Sequence, residues 1–220
     1  MNSIIERVNL ACRNVRYNNA GPITFKKLVS QTRKSFKDRD FDIAIKTKKD
    51  LLIYEDGFYV MAYYDAHDDQ NFETPIEVVI HHNFTNQQQF AENQITDFLI
   101  QVFDAVVHEY KHRDQSIKRN FKHFTDVCHS PYRDYLADPD ELDAYALSIA
   151  IELARTIGVE RAKRNLPRIR ILSKMRQGTG FISPNLRSYI EHFGFGPLLK
   201  KLSKKIYKHL ETLDTRALFL

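Results

Sequence analysis

Residues 92–113 carry a strong periodic pattern, and this pattern limits what the chain can fold into. Large apolar side chains recur there at spacings of three and four residues: Ile95, Phe98, Leu99, Val102, Phe103, Val106 and Tyr110. Such spacing places them on one side of an α-helix. A helix with one apolar side is stable only when another layer covers it. The rest of the chain must therefore supply a layer that packs on this helix.

Three segments ahead of this helix have the composition of β-strands. Phe41–Ile45 alternates, Phe58–Tyr64 is aromatic and β-branched, and Ile76–Ile80 follows a proline. Asp56-Gly57 indicates a tight turn before the second segment. Together the segments predict a small, mostly antiparallel sheet packed on the helix.

Helices are predicted on both sides of this core. Residues 3–17 and 23–37 look helical, and Asp138-Pro139 is typical of a helix start. A last helix is predicted from Pro197 to about residue 213. We therefore predict an α+β fold with helical N- and C-terminal extensions. The predicted parts are an N-terminal helical segment (residues 1–40), a core (residues 41–156) and a basic, mainly helical C-terminal segment (residues 157–220). We expect them to pack together as one domain.

The composition is that of a globular protein. The chain has 220 residues, of which 43% are hydrophobic and 28% charged. Its two cysteines, Cys12 and Cys128, lie far apart in sequence, which favours reduced thiols. No apolar run reaches the length of a membrane span, and the first residues lack a signal-peptide pattern. We expect a cytoplasmic protein without a membrane partner.

The charge is unevenly distributed. Fourteen Lys and Arg but only two acids lie between Arg155 and Lys208, a local charge of +12. Because the whole chain carries +5, the remainder carries −7. A basic segment of this kind can meet an acidic partner or nucleic acid. The alternative explanation is a set of ordinary solvated helix faces.

The long helix contains His108-Glu109-Tyr110-Lys111-His112, an H-E-x-x-H pattern. On a helix, positions i and i+4 lie one turn apart on the same face, so the two imidazoles can bind one Zn²⁺ at about 2.0–2.1 Å. The intervening glutamate is predicted to be the general base that takes a proton from water. Counted at about 100° per residue, Glu109 lies at the border of the apolar face, where an unpaired carboxylate is costly. That position favours a functional site over a surface helix.

Glu141 is the predicted third ligand. It follows His112 after 28 intervening residues and stands in the first turn of the next helix. Asp138-x-x-Glu141 also fits a capping box, in which Glu141 would bond back to the helix start. The other candidates for the third ligand are Asp143, which is the strongest of them, His123 and His129.

Further residues have weaker assignments. An oxyanion donor is needed for hydrolysis, and the candidates are Tyr135, Tyr145, His123 and His129. Asp104 stands one turn before His108 and is placed to accept its second ring N–H. Structural roles explain each of these residues as well.

These residues resemble those of the gluzincin metallopeptidases, the broad group of zinc peptidases that includes thermolysin. The resemblance rests on His108-Glu-x-x-His112 followed by Glu141-x-x-Ala144, and it covers about residues 58–155. In size the chain is similar to minimal zincin domains of phage and bacterial genomes, and its many Asn, Lys, Phe and Tyr suit an AT-rich genome. Asp140 stands where thermolysin relatives carry Asn, so the chain departs from that subgroup.

The resemblance implies a zincin-like fold, a Zn²⁺ cofactor and hydrolysis of peptide bonds. It also implies that Ile76–Asn83 is the edge strand of the sheet, which would line the cleft and pair with an extended substrate. His81, His82 and Asn83 would then form a rim that faces the substrate. Two alternatives stay open: a metal hydrolase acting on a non-peptide amide, and a nucleic-acid-associated or virion structural protein with a secondary zinc site.

Overall fold

A computed structural model describes residues 1–19, 21–55, 57–65, 74–85, 87–121, 132–169, 171, 183–215 and 218. The chain divides into two compact units, residues 3–122 and residues 123–219. The fold is α+β, mostly helical with a small sheet, which confirms the predicted class. The three predicted segments, over 1–40, 41–156 and 157–220, stay a prediction.

The first unit contains three helices and all the strands of the described residues. In chain order these are α1 (Asn2–Tyr17), β1 (Ile23–Thr24), α2 (Phe25–Lys37), β2 (Ile43–Lys49), β3 (Phe58–Tyr63), β4 (Ile76–His82), β5 (Gln89–Phe90) and α3 (Glu92–Lys118). Helix α2 begins where the Thr24 side chain accepts a hydrogen bond from the N–H of Lys27. The helices and β-segments that the sequence predicts in this unit are present, but β2 begins two residues later than expected, and residues 23–24 of the predicted second helix form β1 instead.

The main sheet is mixed, and its central strand is β4. The order is β2–β4–β3, with β4 parallel to β2 and antiparallel to β3. Strands β1 and β5 form a separate antiparallel pair. The prediction of a mostly antiparallel sheet is wrong for the β2–β4 pair, because β3 follows β2 in sequence but pairs on the far side of β4. A parallel pair requires such a crossover, whereas adjacent hairpin strands are antiparallel.

The prediction that Ile76–Asn83 is an edge strand is also wrong. Ile76, Val78 and Ile80 are fully buried, and strands pair with β4 on both sides. A central strand satisfies its backbone N–H and C=O groups along both edges, so β4 has no free edge for an extended substrate. The apolar character of this segment reflects burial in the middle of the sheet.

Helix α3 covers the sheet, as its periodicity predicts. It packs against β3 and β4, and five side chains of its apolar side are at 0% exposure: Phe98, Leu99, Val102, Phe103 and Val106. Each such side chain contributes about 1.5–3 kcal/mol when removed from water. Gln101 of α3 also accepts a hydrogen bond from the N–H of Val60 at 3.2 Å, which ties the helix to β3. Burial and this contact fix the rotation of α3.

The second unit is helical in its described part. Its elements are α4 (Tyr132–Ala137), α5 (Pro139–Ile157), α6 (Val159–Asn165), a 3₁₀ turn (Leu166–Arg168), α7 (Pro184–Phe193) and α8 (Pro197–Thr212). Asp138 caps α5 by accepting from the N–H of Asp140 at 2.8 Å, as the Asp-Pro start predicts. Helix α5 ends at Gly158, whose φ of +80° favours glycine.

Helix α5 packs against α8 to form the core of this unit. Ala144 and Ala150 are fully buried on α5, and Leu202 and Ile206 are fully buried on α8. The small alanine side chains of α5 allow α8, which carries larger side chains, to pack closely against it. Within the described residues, none of the helices is long and apolar enough to cross a membrane.

Candidate metal centre

His108 and His112 face each other on α3. Their Nε2 atoms are 3.1 Å apart, and their ring centroids are 4.8 Å apart with the ring planes at 70°. Both side chains are partly exposed. Tetrahedral zinc with bonds of about 2.0–2.1 Å holds two nitrogens about 3.3 Å apart, so the observed separation is close to that of two ligands on one ion.

Gln115 holds the second histidine, and the sequence analysis missed it. Its Oε1 atom lies 3.0 Å from Nδ1 of His112, and the side chain is buried. An amide oxygen only accepts, so this contact requires the proton to be on Nδ1. The lone pair of Nε2 is then directed toward His108. The spacing of three residues from His112 is the signal that could have identified Gln115, because i and i+3 share a helix face.

Glu141 is the third member of the cluster. It lies in the first turn of α5 and is 8% exposed. The ligand atoms of His108, His112 and Glu141 all lie within 4.8 Å of one another. These three residues are therefore close enough to hold a metal ion. Two imidazoles and one carboxylate are a donor set that suits Zn²⁺ and other divalent transition metals.

The side chain of Glu141 does not cap the start of α5. The N–H of Asp138, which a capping box would pair with Glu141, donates to the carbonyl of Tyr135 at 3.1 Å. Asp138 caps the helix with its own carboxylate, which accepts from the N–H of Asp140 at 2.8 Å and from that of Glu141 at 3.4 Å. This arrangement favours the interpretation of Glu141 as a ligand.

Asp143, the strongest alternative ligand, belongs to a different cluster. Its Oδ1 atom lies 3.0 Å from Nζ of Lys205 and 3.2 Å from Nε2 of His209, both on α8. Two residues along a helix correspond to about 200° of rotation, so Glu141 and Asp143 face in nearly opposite directions. The packing of α5 on α8 accounts for the ion pair.

The roles of the remaining predicted site residues stay predictions. Glu109 and Asp104 are partly exposed on α3. Tyr135 lies on α4, and Tyr145 makes an edge contact with Tyr189 at 5.6 Å between centroids. His123 and His129 lie outside the described residues, as does Cys128, whereas Cys12 is buried and its thiol donates to the carbonyl of Leu99 at 3.7 Å.

His81 and His82 do not form an exposed rim, so that prediction is wrong. His81 stacks on Tyr59 at 4.6 Å with the rings 7° from parallel, and it is buried. His82 lies among aromatic rings, 4.5 Å from Phe25 and 4.8 Å from Phe84. Burial lowers the pKa of His82 because a charged imidazole loses its hydration there. The central position of β4 explains the burial of both residues.

The chain was compared with known protein families, curated proteins and solved structures. None of the protein-family models, curated proteins or solved structures compared with the chain matches it.

Proposed function

We propose that the chain is a zinc-dependent metallopeptidase of the gluzincin type with a zincin-like fold. The observation that carries the proposal is the 3.1 Å separation of the His108 and His112 Nε2 atoms, together with a carboxylate within ligand distance. Within the described residues the cluster offers three ligands. Catalytic zinc sites use three protein ligands and leave a fourth position for water or substrate, whereas structural sites fill all four.

The three ligands and Glu109 have distinct roles in this proposal. His108 and His112 would hold the ion through Nε2, and Glu141 would hold it through a carboxylate oxygen. When bound, zinc would lower the pKa of a coordinated water and polarise the scissile carbonyl. Glu109 accepts the proton from the attacking water at its carboxylate and passes it to the leaving amine. Glu109 can do this without being a ligand, because it projects about 100° round the helix from His108.

Tyr135 and Tyr145 are the proposed oxyanion donors. Tyr145 follows Glu141 by four residues on α5, so the two side chains leave the same face of that helix. A phenol O–H directed at the developing oxyanion stabilises the transition state. Asp104 is proposed to orient His108 in the way that Gln115 orients His112.

Metal stoichiometry tests the ligand set. The purified protein is stripped with a chelator, reloaded with Zn²⁺, and assayed for bound metal. We expect one zinc per wild-type chain and none in His108→Ala or His112→Ala, because two remaining ligands do not hold the ion. Glu141→Ala should bind much more weakly. His192→Ala, on α7, is the matched control and should bind one zinc. Retention of one zinc by His108→Ala would overturn the site.

Glu109→Gln tests catalysis separately from binding. A mixture of random peptides is incubated with the zinc-loaded protein, and cleavage is followed by mass spectrometry. We expect wild-type cleavage to fall about 10²–10⁴-fold in Glu109→Gln, with zinc retained, because the amide cannot accept the proton. Glu92→Gln, on the same helix, should cleave at the wild-type rate. A zinc-loaded wild type that cleaves no peptide would refute the peptidase proposal and leave only a metal site.

A further inference from the structure

The outer face of α8 carries a row of lysines. Lys200, Lys201, Lys204 and Lys208 are exposed, whereas the opposite face of the helix is buried through Leu199, Leu202, Ile206 and Leu210. At about 100° per residue the four lysines fall within an arc of about 100°. The lysine row therefore points away from the core of its unit.

The four ammonium groups have no acidic partners among the described residues. None of them lies within ion-pair distance of a carboxylate there, whereas the neighbouring Lys205 pairs with Asp143 at 3.0 Å. Lys200 and Lys204, like Lys204 and Lys208, stand at i and i+4. Like charges at that spacing destabilise a helix. A helix with a purely structural role gains nothing from this repulsion, and an anionic partner would relieve it.

Other groups of the same unit extend the basic surface. Tyr207, which is 40% exposed, lies beside the row, and Nζ of Lys163 lies 6.0 Å from the centre of its ring. Helix α6 packs against α8, and Arg161, Lys163 and Arg164 line a groove of about 710 Å³ with the end of α8. Glu160 and Glu211 also line this groove, so the strongest positive charge is on the lysine row itself.

The chemistry of this face fits a nucleic acid better than an acidic protein. Protein interfaces depend on a few buried aromatic or aliphatic anchors, and the exposed face of α8 offers only Tyr207. Lysine presents a compact point charge on a flexible stem, which suits phosphate oxygens, and contacts to phosphates carry no sequence information directly. Lys200, Lys204 and Lys208 repeat at about 6 Å along the helix axis, so successive lysines can meet successive phosphates.

We propose that the lysine row binds nucleic acid through its phosphate backbone, without sequence specificity. This inference does not depend on the metal centre. Each lysine that neutralises a phosphate of duplex DNA contributes about 0.9 to the slope of log K against log salt. Four contacts give a slope of about −3.6, and binding should therefore weaken steeply between low and physiological salt.

The test removes the same charge from two helices of the full chain. One variant carries Lys200→Gln, Lys201→Gln, Lys204→Gln and Lys208→Gln. The matched control carries Lys→Gln at four exposed positions of α2: Lys26, Lys27, Lys34 and Lys37. Binding to a fluorescent 20-base-pair duplex is measured by anisotropy over a salt series, with and without bound zinc, and circular dichroism checks the fold of each variant.

We expect the α8 variant to bind at least tenfold more weakly, with a salt slope close to zero. The α2 control should retain most of the affinity and the slope, and zinc should change neither. Equal losses in both variants would show that only net charge matters and would overturn the proposal. Absence of wild-type binding at low salt would overturn it as well. Competition by polyglutamate as effective as that by unlabelled duplex would assign the row to an acidic protein instead.

Discussion

Removal of the Gln115 side chain should weaken metal binding by a predictable amount. Gln115 is buried, and its Oε1 atom is 3.0 Å from Nδ1 of His112. In Gln115→Ala the Nδ1–H loses this acceptor, and the imidazole is free to rotate or to exchange its tautomer. Loss of one buried hydrogen bond costs about 1–3 kcal/mol. Substitution of a residue that hydrogen-bonds a metal ligand lowers metal affinity about 10–100-fold, which corresponds to about 1.4–2.7 kcal/mol.

Zinc affinity can be measured by competition with a chromophoric chelator. Gln101→Ala is the matched control, because Gln101 stands on the same helix and accepts one hydrogen bond from the N–H of Val60. We expect Gln115→Ala to raise the zinc Kd about 10–100-fold and Gln101→Ala to leave it within about twofold. Gln115→Glu keeps an acceptor and should restore the affinity.

Two results would refute this reasoning. A wild-type Kd in Gln115→Ala would show that the contact does not position His112 for the metal. Equal losses in the Gln115 and Gln101 variants would show that general destabilisation of α3 is responsible. Nitrogen chemical shifts of the imidazole in the metal-free protein give an independent readout, because the Nδ1–H tautomer should dominate in the wild type and lose population in Gln115→Ala.

Two further predictions concern stability. Burial lowers the pKa of His82, so the unfolded chain binds a proton more readily than the folded one, and the free energy of unfolding should fall as pH drops below about 6.5. In urea denaturation, His82→Phe should show a smaller fall in the free energy of unfolding between pH 7.5 and 5.5. An unchanged pH dependence in this variant would contradict the prediction. Tyr189→Phe removes a buried O–H that donates to the carbonyl of Leu136 at 2.9 Å. We expect the free energy of unfolding to fall by about 1–3 kcal/mol. A change below about 0.5 kcal/mol, as is common at surface positions, would count against this hydrogen bond.

Local patterns in the sequence determined α3 and the pairing of its histidines. The apolar spacing fixed which side of the helix is buried, and Phe98 and Val106 lie there as expected. Because i and i+4 meet on any helix, the proximity of His108 and His112 needs no tertiary contact. The Asp138 cap is equally local, since the side chain bonds the first N–H groups of its own helix.

Non-local pairing decided what the sequence could not. Strand β4 is central because β3 pairs on its far side, and no local pattern distinguishes this order from a meander of hairpins. The sequence favours Glu141 as the third ligand but leaves Asp143 as an alternative, since both carboxylates stand near the start of α5. The packing of α8 on α5 places Lys205 and His209 against Asp143. These two residues follow Asp143 by 62 and 66 positions in sequence, so the contacts depend on tertiary structure alone.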